Sequence, residues 1–387
     1  MKIKYFDNAA TTAVDNDILK SMMPYFSEYY YNPSSIYTPS KEAFNALEEA
    51  RKKVACALNA NVNEIYFTSG GTESDNLAIK GFAHANKKKG NHIITSSIEH
   101  PAVINSCKSL EKEGFEVTYL SVDNNGFVSL EELEKSIKDN TILISIMTAN
   151  NEIGTIEPIK EIGEIAHKHN IIFHTDAVQA IGSVKLDVNE MNIDMLSLSS
   201  HKFYGPKGVG ALYIKKGTLI SRVNDGGHQE RDKRSGTENV PGIVGLGFAI
   251  EKAYKNFDEN VKKITELRNY YINEIERKVD DAILNGDREK RLPGNANFSF
   301  KYIEGESILL LLDAKGICVS TGSACSSKSL EPSYVLLSIG LLHETAHGSI
   351  RVSIGKHNTK EEVDYLIESI VEVVSKLRNM SPLYEEE

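Results

Sequence analysis

Three stretches of the sequence place polar or ionisable residues directly after short apolar runs. They are SGGTES (69–74) with Gly71 and Thr72, HTDAVQ (174–179) with Asp176 and Gln179, and SLSSHKFYGPKG (197–208) with His201 and Lys202. Glycines let the backbone approach a ligand closely, and the N–H groups at a helix start suit a phosphate. Taken singly, each stretch also has a plain structural interpretation, as a tight turn, a helix-capping Asp or an exposed loop lysine.

One cofactor would use all three stretches. Pyridoxal phosphate needs a lysine that forms an imine, a carboxylate at its pyridinium nitrogen and an anion cradle. Lys202 suits the imine because a buried strand end favours the uncharged, nucleophilic form of a lysine amine. Asp176 supplies the carboxylate, and the glycine-opened helix start supplies the cradle. The sequence therefore predicts pyridoxal phosphate as the cofactor.

Cys325 lies in a stretch of small polar residues, VSTGSACSSKSLEPS (319–333). Such a stretch is typical of an exposed loop, where a thiol can react. The other cysteines are Cys56, Cys107 and Cys318, and four in 387 residues are too few for a disulfide framework. Cys56 stands in a helical pattern and is predicted to be a buried small hydrophobe. We therefore expect Cys325 to be the reactive thiol.

The stretch HETAH (343–347) matches the zinc-protease motif H-E-x-x-H. Gly348 follows at once, a strand-like segment comes next, and no third ligand is spaced after the motif. Because a catalytic zinc site needs three protein ligands in a suitable geometry, these features disfavour zinc.

The elements that would position these residues follow a β-α-β rhythm between about residues 60 and 215. Apolar, β-rich runs at 64–69, 92–96, 115–120, 141–147, 171–176, 194–200 and 209–214 are interleaved with helical patterns. This rhythm predicts an α/β fold with a mostly parallel sheet flanked by helices. Sites in such sheets lie at the carboxyl ends of the strands, where Asp176 and Lys202 stand.

The pattern of apolar and polar residues changes near residue 255, which predicts a second domain. Helical periodicity dominates 242–280, shorter mixed elements follow at 296–300, 307–316 and 349–355, and an amphipathic helix lies near 359–378. We expect a large cofactor-binding α/β domain over 15–254. A smaller α+β domain is expected to combine 1–14 with 255–387 and to carry the Cys325 loop.

The charge balance argues against some classes of partner. Acidic residues (54) outnumber Lys plus Arg (44), and the net charge of −10 disfavours general binding to nucleic acid or anionic membranes. The N-terminus MKIKYFDNAATT lacks the apolar region of a secretory signal, and no run of about eighteen apolar residues is present. We therefore expect a cytoplasmic protein that binds neither nucleic acid nor membrane.

The sequence resembles the cysteine desulfurases of the NifS/IscS type, in the class-V aminotransferase group of fold-type I pyridoxal phosphate enzymes. The resemblance runs over nearly the whole chain, from YFDNAATT (5–12) to SPLY (381–384). Further matching blocks are NPSS (32–35), FTSGGTESDNLAIKG (67–81), EH (99–100), NNEIG (150–154), HTDAVQ, SSHKFYGPKG, RSGTENV (234–240), EGES (304–307), TGSACSS (321–327), LEPSYVL (330–336) and AHGSIRVSIG (346–355). The resemblance also accounts for the HETAH stretch without zinc.

The resemblance implies cofactor roles for the matched positions. Lys202 would form the imine, Asp176 would pair with the pyridinium nitrogen, and Gln179 would bond the phenolic oxygen. His100 would stack on the ring and relay protons, with Asn151 beside the ring. The residues implied to hold the phosphate are Gly71, Thr72, Ser199 and His201, together with Thr237 from the second subunit of a homodimer.

The implied reaction converts L-cysteine to L-alanine. Asn32 and Arg351 would bind the substrate carboxylate, and Cys325 would act as the nucleophile that keeps the sulfur as a persulfide. The persulfide would pass to an acceptor protein, and the long loop around Cys325 favours a scaffold for iron–sulfur cluster assembly. No resident metal is implied, and Cys325 would at most be a transient ligand of a cluster on the scaffold.

Other functions on the same motifs stay open at this point. They are selenocysteine lyase activity, sulfur delivery for tRNA thiolation, transamination, and a sulfur carrier that has lost catalysis. Cys325 in its loop argues against transamination. The presence of Lys202, Asp176 and His100 together argues against lost catalysis.

Overall fold

The computed structural model describes residues 3–321, 331–382 and 384. The strands in these ranges are β1 (Lys4–Tyr5), β2 (Ile65–Thr68), β3 (His92–Ser96), β4 (Glu116–Leu120), β5 (Thr141–Ser145), β6 (Ile172–Asp176), β7 (Met195–Ser199), β8 (Gly210–Ile214), β9 (Ala282–Asn285), β10 (Asn295–Phe300), β11 (Ile317–Cys318) and β12 (Ser349–Ser353). The helices are α1 (Asn16–Met22), α2 (Pro24–Ser27), α3 (Ser40–Leu58), α4 (Gly71–Asn76), α5 (Phe82–Asn86), α6 (Pro101–Glu111), α7 (Leu130–Lys135), α8 (Ile159–Lys168), α9 (Gln229–Asp232), α10 (Val240–Lys255), α11 (Phe257–Lys278), α12 (Gly305–Asp313), α13 (Tyr334–Ser338), α14 (His343–His347) and α15 (Lys360–Arg378).

The larger sheet has seven strands within the described residues. Their order is β2-β8-β7-β6-β5-β3-β4, and β8 is antiparallel to β2 and β7 while the remaining pairs are parallel. The mostly parallel sheet predicted from the sequence is therefore confirmed. Because two antiparallel pairings separate β2 from β7, these strands point the same way as β6, and all three end at one edge of the sheet.

Apolar residues on both faces of the strands explain why this sheet is buried. Strands β5, β7 and β8 are buried at every residue, as expected where helices cover both sides. Helices α3 and α10 contribute to the same core and pack against each other. Their close approach depends on Gly247, because a Cβ there would lie 2.7 Å from the Cα of Ala50.

A second core surrounds the smaller sheets. In the described part of the chain, β12, β10 and β9 form an antiparallel sheet, and β1 pairs in parallel with β11. Helices α11, α12 and α15 pack on these strands, with Phe6, Phe298 and Phe300 fully buried. Phe6 thus ties the N-terminal segment to the C-terminal part of the chain. The division into 15–254 and 1–14 with 255–387 remains a prediction.

The cysteines differ in one respect from the expectation. Cys56, predicted to be buried, is exposed on α3. The buried face of α3 passes through Val54, Ala55 and Leu58, and Cys56 falls on the opposite side of the helix. Cys325 lies outside the described residues. No helix among the described residues has both the length and the apolar character that a membrane span requires.

A buried ion pair joins α3 to the short segment around α9. The Nη1 and Nη2 atoms of Arg51 donate to the two carboxylate oxygens of Glu230 at 2.7 and 2.9 Å. Glu230 also accepts the backbone N–H of Phe67 at 2.8 Å. Glu230 and Arg231 have φ angles of +44° and +53°, which are unfavourable for residues with a side chain. The ion pair therefore holds a strained turn against the end of β2.

Arg51→Ala is expected to lower the free energy of unfolding by about 3–5 kcal/mol, because the Glu230 carboxylate would stay buried without its partner. The neighbouring Lys52→Ala removes an exposed ion pair with Glu49 and should change the stability little. Chemical denaturation of the two variants measures the difference. Equal unfolding midpoints would contradict a stabilising effect of the buried pair.

Candidate active site

Three strand ends meet at one edge of the larger sheet. Strand β2 ends at Thr68, β6 ends at Asp176 and β7 ends at Ser199. Each end is followed by one of the stretches that the sequence predicts to carry chemistry. The sheet therefore brings the glycine turn, the Asp176 carboxyl and the Lys202 amine to the same region, as expected from parallel strands.

The turn after β2 contains two glycines, Gly70 and Gly71, and Gly71 is buried. Gly70 has a φ of +152°, a conformation that favours glycine, and Gly71 begins α4. A Cβ at Gly71 would lie 2.6 Å from Val178 Cγ2, so a larger residue would close the space between the strand ends. Ser199 lies against the same turn, since its Oγ would be 3.7 Å from a Cβ at Gly70. Thr72 is exposed in the first turn of α4. Free N–H groups at this helix start suit a phosphate.

Asp176 is a buried carboxyl at the end of β6. Its side chain is 6% exposed, and its Oδ1 accepts the backbone N–H of Val178 at 2.8 Å. Burial raises the pKa of Asp176, while the nearby His100 and Lys202 lower it. Asp176 makes no ion pair within 4 Å in the described part of the chain. A buried carboxylate of this kind has room for a cationic partner such as a protonated ring nitrogen.

His100 is held in one orientation by the helix that follows it. It is the N-cap of α6, and its Nδ1 accepts the backbone N–H of Ala102 at 3.1 Å. A neutral imidazole that accepts at Nδ1 carries its proton on Nε2. Burial lowers the pKa of His100, Asp176 raises it and Lys202 lowers it. His100 therefore offers a neutral ring with an N–H donor at Nε2.

Lys202 ends the 3₁₀ turn Ser200–Lys202 that follows β7 directly. Its Nζ donates to the carbonyl oxygens of Ala9 at 2.6 Å and Ala10 at 2.9 Å. The Nε2 atom of Gln179 donates to the same Ala9 oxygen at 3.0 Å. A cavity of about 250 Å³ borders Lys202 and Gln179. The N-terminal segment thus holds the amine at the wall of a space that a small ligand can enter.

His201 lies beside Lys202 and is neutral in this setting. Its Nδ1 is 3.1 Å from Thr11 Oγ1, and its carbonyl oxygen accepts the Thr12 N–H at 2.9 Å. Burial, Lys202 and Lys207 together lower the pKa of His201 to about 4. At neutral pH His201 can therefore contact an anion as a hydrogen-bonding group without carrying a charge.

Arg351 supplies a buried cation on the other side of the site. Its Nη1 donates to the Asn151 carbonyl oxygen and its Nη2 donates to Asp7 Oδ1, each at 2.9 Å. The side chain is 4% exposed, and Nε has no hydrogen-bond partner among the described residues. A guanidinium with a donor still available matches the geometry of a carboxylate.

For three of the residues predicted for the active site, the described part of the structure shows no contact with the site residues named above. Asn32 is exposed before α3, and its Oδ1 accepts the N–H of Ser34 at 2.9 Å within its own turn. Thr237 is exposed between α9 and α10. Cys325 lies outside the described residues. The roles expected for Asn32, Thr237 and Cys325 therefore stay predictions.

Sequence reasoning missed two acidic residues of the site. Asp7 is the carboxylate that contacts Arg351, and Asp75 is a fully buried acid whose side chain lies near Asp176. Both stand inside matched motifs, YFDNAATT and FTSGGTESDNLAIKG. Asp75 also follows Gly71 by four residues, which is the spacing of one helical turn. This spacing was the available signal for Asp75.

The residues present fit pyridoxal phosphate. Gly71 lets the start of α4 pack directly against Val178, close to the turn that follows Asp176, and the buried Asp176 carboxyl lacks an ion-pair partner in the described residues. Lys202 and Gln179 line the cavity, and Lys202 supplies an amine. Together they provide an anion site, a partner for a cationic ring nitrogen and an amine for an imine.

The chain is similar to known proteins over nearly its whole length. The family described as Aminotransferase class-V matches residues 4–366. A protein of Clostridium botulinum named cysteine desulfurase IscS is 58% identical over 384 residues, covering 99% of this chain and 97% of that protein. A solved structure of a NifS-like protein has 42% identity and a TM-score of 0.92, covering 97% of this chain and 100% of the other. A structure described as SspA in complex with cysteine has 39% identity and a TM-score of 0.82, covering 92% of this chain and 100% of the other.

His174 lies under the site as an uncharged part of the sheet. It is fully buried on β6, its Nδ1 is 2.8 Å from Ser145 Oγ, and its Nε2 is 3.0 Å from Ser197 Oγ. Burial lowers the pKa of His174 from 6.5 to about 3. The native protein therefore binds a proton at His174 far less readily than the unfolded chain does.

Acid should destabilise the protein in part through His174. Its stabilising effect is present above its unfolded pKa of 6.5 and is lost as the pH falls towards about 3, because protons favour the unfolded chain. In His174→Gln, the free energy of unfolding should fall less steeply over this pH range than in the wild type. Denaturant melts at several pH values measure the slopes.

The exposed His84→Gln is the matched control for removing a histidine at the surface. Equal slopes in His174→Gln and the wild type would contradict the assignment of a neutral, buried His174.

Proposed function

This chain belongs to the class-V aminotransferase family, and from that premise we propose that it is a pyridoxal phosphate-dependent cysteine desulfurase. It converts L-cysteine to L-alanine and keeps the sulfur on Cys325 as a persulfide. The observation that carries the proposal is the convergence of the Gly71 cradle, the buried Asp176 and Lys202 at one sheet edge. The similarity to cysteine desulfurases over 99% of the chain supports the choice of reaction.

The cofactor would be held from three sides. Asp176 would pair with the ring nitrogen, Gln179 would contact the phenolic oxygen, and His100 with Asn151 would lie at the ring. The phosphate would be bound by Gly71, Thr72, Ser199 and His201, with Thr237 of a second subunit completing the site in a homodimer. When bound, pyridoxal phosphate supplies an electron sink for the carbon that loses its proton.

Lys202 is suited to hold the cofactor and then to move a proton. Its Nζ is held by two backbone carbonyls, which are neutral acceptors. Once it is free of the cofactor, the Lys202 amine would be a base for the proton on the substrate Cα. His100 would contribute an N–H donor at Nε2, and protonation at Nδ1 would break its cap on α6.

Arg351 would bind the substrate carboxylate. Asp7 and the Asn151 carbonyl fix its guanidinium, and the N–H at Nε is left for a ligand. Since Arg351 is already buried, little further desolvation of the guanidinium is needed when a carboxylate arrives. This arrangement favours an α-amino acid as the substrate, and Asn32 is proposed to assist.

The residues on either side of the Cys325 segment are attached to this site, which supports a reaction of its thiol there. Ser320 and Arg351 exchange backbone hydrogen bonds of 3.1 and 2.6 Å. On the other side, Ser333 Oγ donates to Glu152 at 2.5 Å, and the Tyr334 hydroxyl donates to the carbonyl of Glu99, next to His100.

The sulfur step balances without an added oxidant. The Cys325 thiol attacks the substrate sulfur, the substrate C–S bond breaks, and the pair of electrons returns to Cβ, which gains a proton. L-Cysteine and one thiol thus give L-alanine and one persulfide. The outer sulfur would pass by thiol exchange to an acceptor, for which we propose an iron–sulfur scaffold protein.

Cys325→Ala is expected to bind pyridoxal phosphate normally and to lose the formation of alanine from L-cysteine by at least about a hundredfold, because no thiol receives the sulfur. Cys56→Ala, which removes an exposed cysteine on α3, is the matched control and should keep the activity. Alanine and sulfide are measured with a thiol reductant present. Normal turnover by Cys325→Ala would remove the persulfide mechanism.

Lys202→Ala should lose the absorbance band of the covalently bound cofactor, and turnover should fall by at least about a thousandfold because the amine is also the base. Lys207→Ala, an exposed lysine of the same loop, should keep both. Absorbance spectra of the purified proteins and rates with L-cysteine test this. Normal turnover by Lys202→Ala would show that another lysine forms the imine.

A further inference from the structure

Asp75 is a buried acid for which the proposed reaction has no use. It lies on α4, one helical turn after Gly71, and is 1% exposed. Its Oδ1 has no hydrogen-bond partner among the described residues. One ligand atom each of Asp75, Asp176 and His100 lie within 4.8 Å of one another. A buried polar atom without a partner is destabilising, so its presence calls for an explanation.

The surroundings of Asp75 and Asp176 differ in charge. Asp176 accepts the Val178 N–H and faces His100 and Lys202. Asp75 shares the His100 ring with Asp176, and its other neighbours are neutral or acidic: His174 with its Nε2 at 3.8 Å, the Ser197 hydroxyl, Asp176 and the buried Glu99. The Val178 N–H and Lys202 therefore make the difference between the two acids. Two carboxylates this close in a buried site cannot both be charged without a large cost. The proton of the pair therefore belongs on Asp75.

The pKa directions agree with this geometry. Burial raises the pKa of Asp75 well above its usual value, and the charge of Asp176 raises it further. Burial also raises the pKa of Asp176, but His100, the Val178 amide and Lys202 lower it. His174 cannot compensate a charge on Asp75, because burial lowers the pKa of His174 to about 3.

We propose that Asp75 is a positioning residue: it keeps the proton of the Asp75–Asp176 pair, so that Asp176 remains a carboxylate where it faces the ring nitrogen of the cofactor. This inference rests on the proposed function, because it assigns a ring nitrogen to the Asp176 site. A neutral Asp75 places a polar O–H group beside the Asp176 anion, which stabilises that anion relative to hydrocarbon surroundings. An ionised Asp176 in turn keeps the ring nitrogen protonated.

Infrared spectroscopy of the purified protein at neutral pH tests the protonation of Asp75 directly. The wild type should show the carbonyl stretch of a buried, protonated carboxylic acid, and Asp75→Asn should lose it. Glu99→Gln is the matched control, since Glu99 is the other fully buried acid beside the site, with a pKa that burial raises. Glu99→Gln should retain the Asp75 signal. Loss of only a carboxylate signal in Asp75→Asn would overturn the proposal.

A second experiment measures the effect on the ring nitrogen. Pyridoxal phosphate labelled with nitrogen-15 in the ring is bound to the wild type, Asp75→Asn and Asp75→Leu, and the nitrogen chemical shift reports its protonation. Asp75→Leu should weaken cofactor binding by about tenfold and move the signal towards the unprotonated form, because the Asp176 anion loses a polar neighbour. Asp75→Asn is neutral and polar, and it should restore the protonated signal and most of the affinity.

The two experiments separate the inference from the proposed function. If the wild type binds no pyridoxal phosphate, the proposed function fails, and so does the inferred effect of Asp75 on the ring nitrogen. The infrared spectrum still decides whether Asp75 carries the proton. If the cofactor binds and Asp75→Leu keeps the protonated signal and full affinity, Asp75 has no positioning effect. The proposal also fails if Asp75→Asn loses as much cofactor affinity and ring protonation as Asp75→Leu. The site would then require a charged residue at position 75. Where Asp75→Leu does not fold, as circular dichroism reveals, Asp75→Asn and the infrared spectrum decide the matter.

Discussion

Burial of the Asp176 carboxyl at the end of β6 is the constraint on which the site depends. Taking a carboxylate out of water costs several kcal/mol unless other groups stabilise it. The Val178 amide donates to Asp176 at 2.8 Å, and the nearby His100 and Lys202 lower the pKa of Asp176. The Asp75 carboxyl lies within 4.8 Å of it, and we infer that Asp75 is protonated, so that the negative charge stays on Asp176. A cationic ligand bound at this point would therefore also stabilise the folded protein.

The N-terminal segment 7–12 connects the two cores at this site. It leaves the smaller core after Phe6 and runs past the functional groups of the larger sheet. Its carbonyls accept hydrogen bonds from Lys202 and Gln179, while its side chains contact Arg351 through Asp7 and the His201 backbone through Thr12. Six consecutive residues thus set the positions of groups that come from distant parts of the sequence.

The sequence predicted the sheet and its functional edge well because each carries a local signal. Apolar runs such as 171–176 end in a polar residue, and parallel strands place such ends together. Asp75 was missed because a helical acid looks like a solvated one until the packing around α4 is known. The prediction that Cys56 is buried was wrong, because an apolar helix pattern does not by itself show which of two neighbouring residues faces solvent. The roles of Asn32 and Thr237 depend on partners outside this chain's described contacts, so they rest on resemblance.

The side chains of Lys202 and Arg351 are held by contacts of different strength. Lys202 is held by the carbonyls of Ala9 and Ala10, and hydrogen bonds to neutral acceptors contribute only about 0.5–1.5 kcal/mol each. A direct, buried ion pair between Lys202 and Asp176 would be far harder to break. These two carbonyl contacts by themselves would not prevent the Lys202 amine from binding a ligand. Arg351, which we propose to bind the substrate carboxylate, is instead held by a charged partner, Asp7, at 2.9 Å. In the proposed site, neutral carbonyls thus contact the amine that would react, and a carboxylate fixes the guanidinium that would bind.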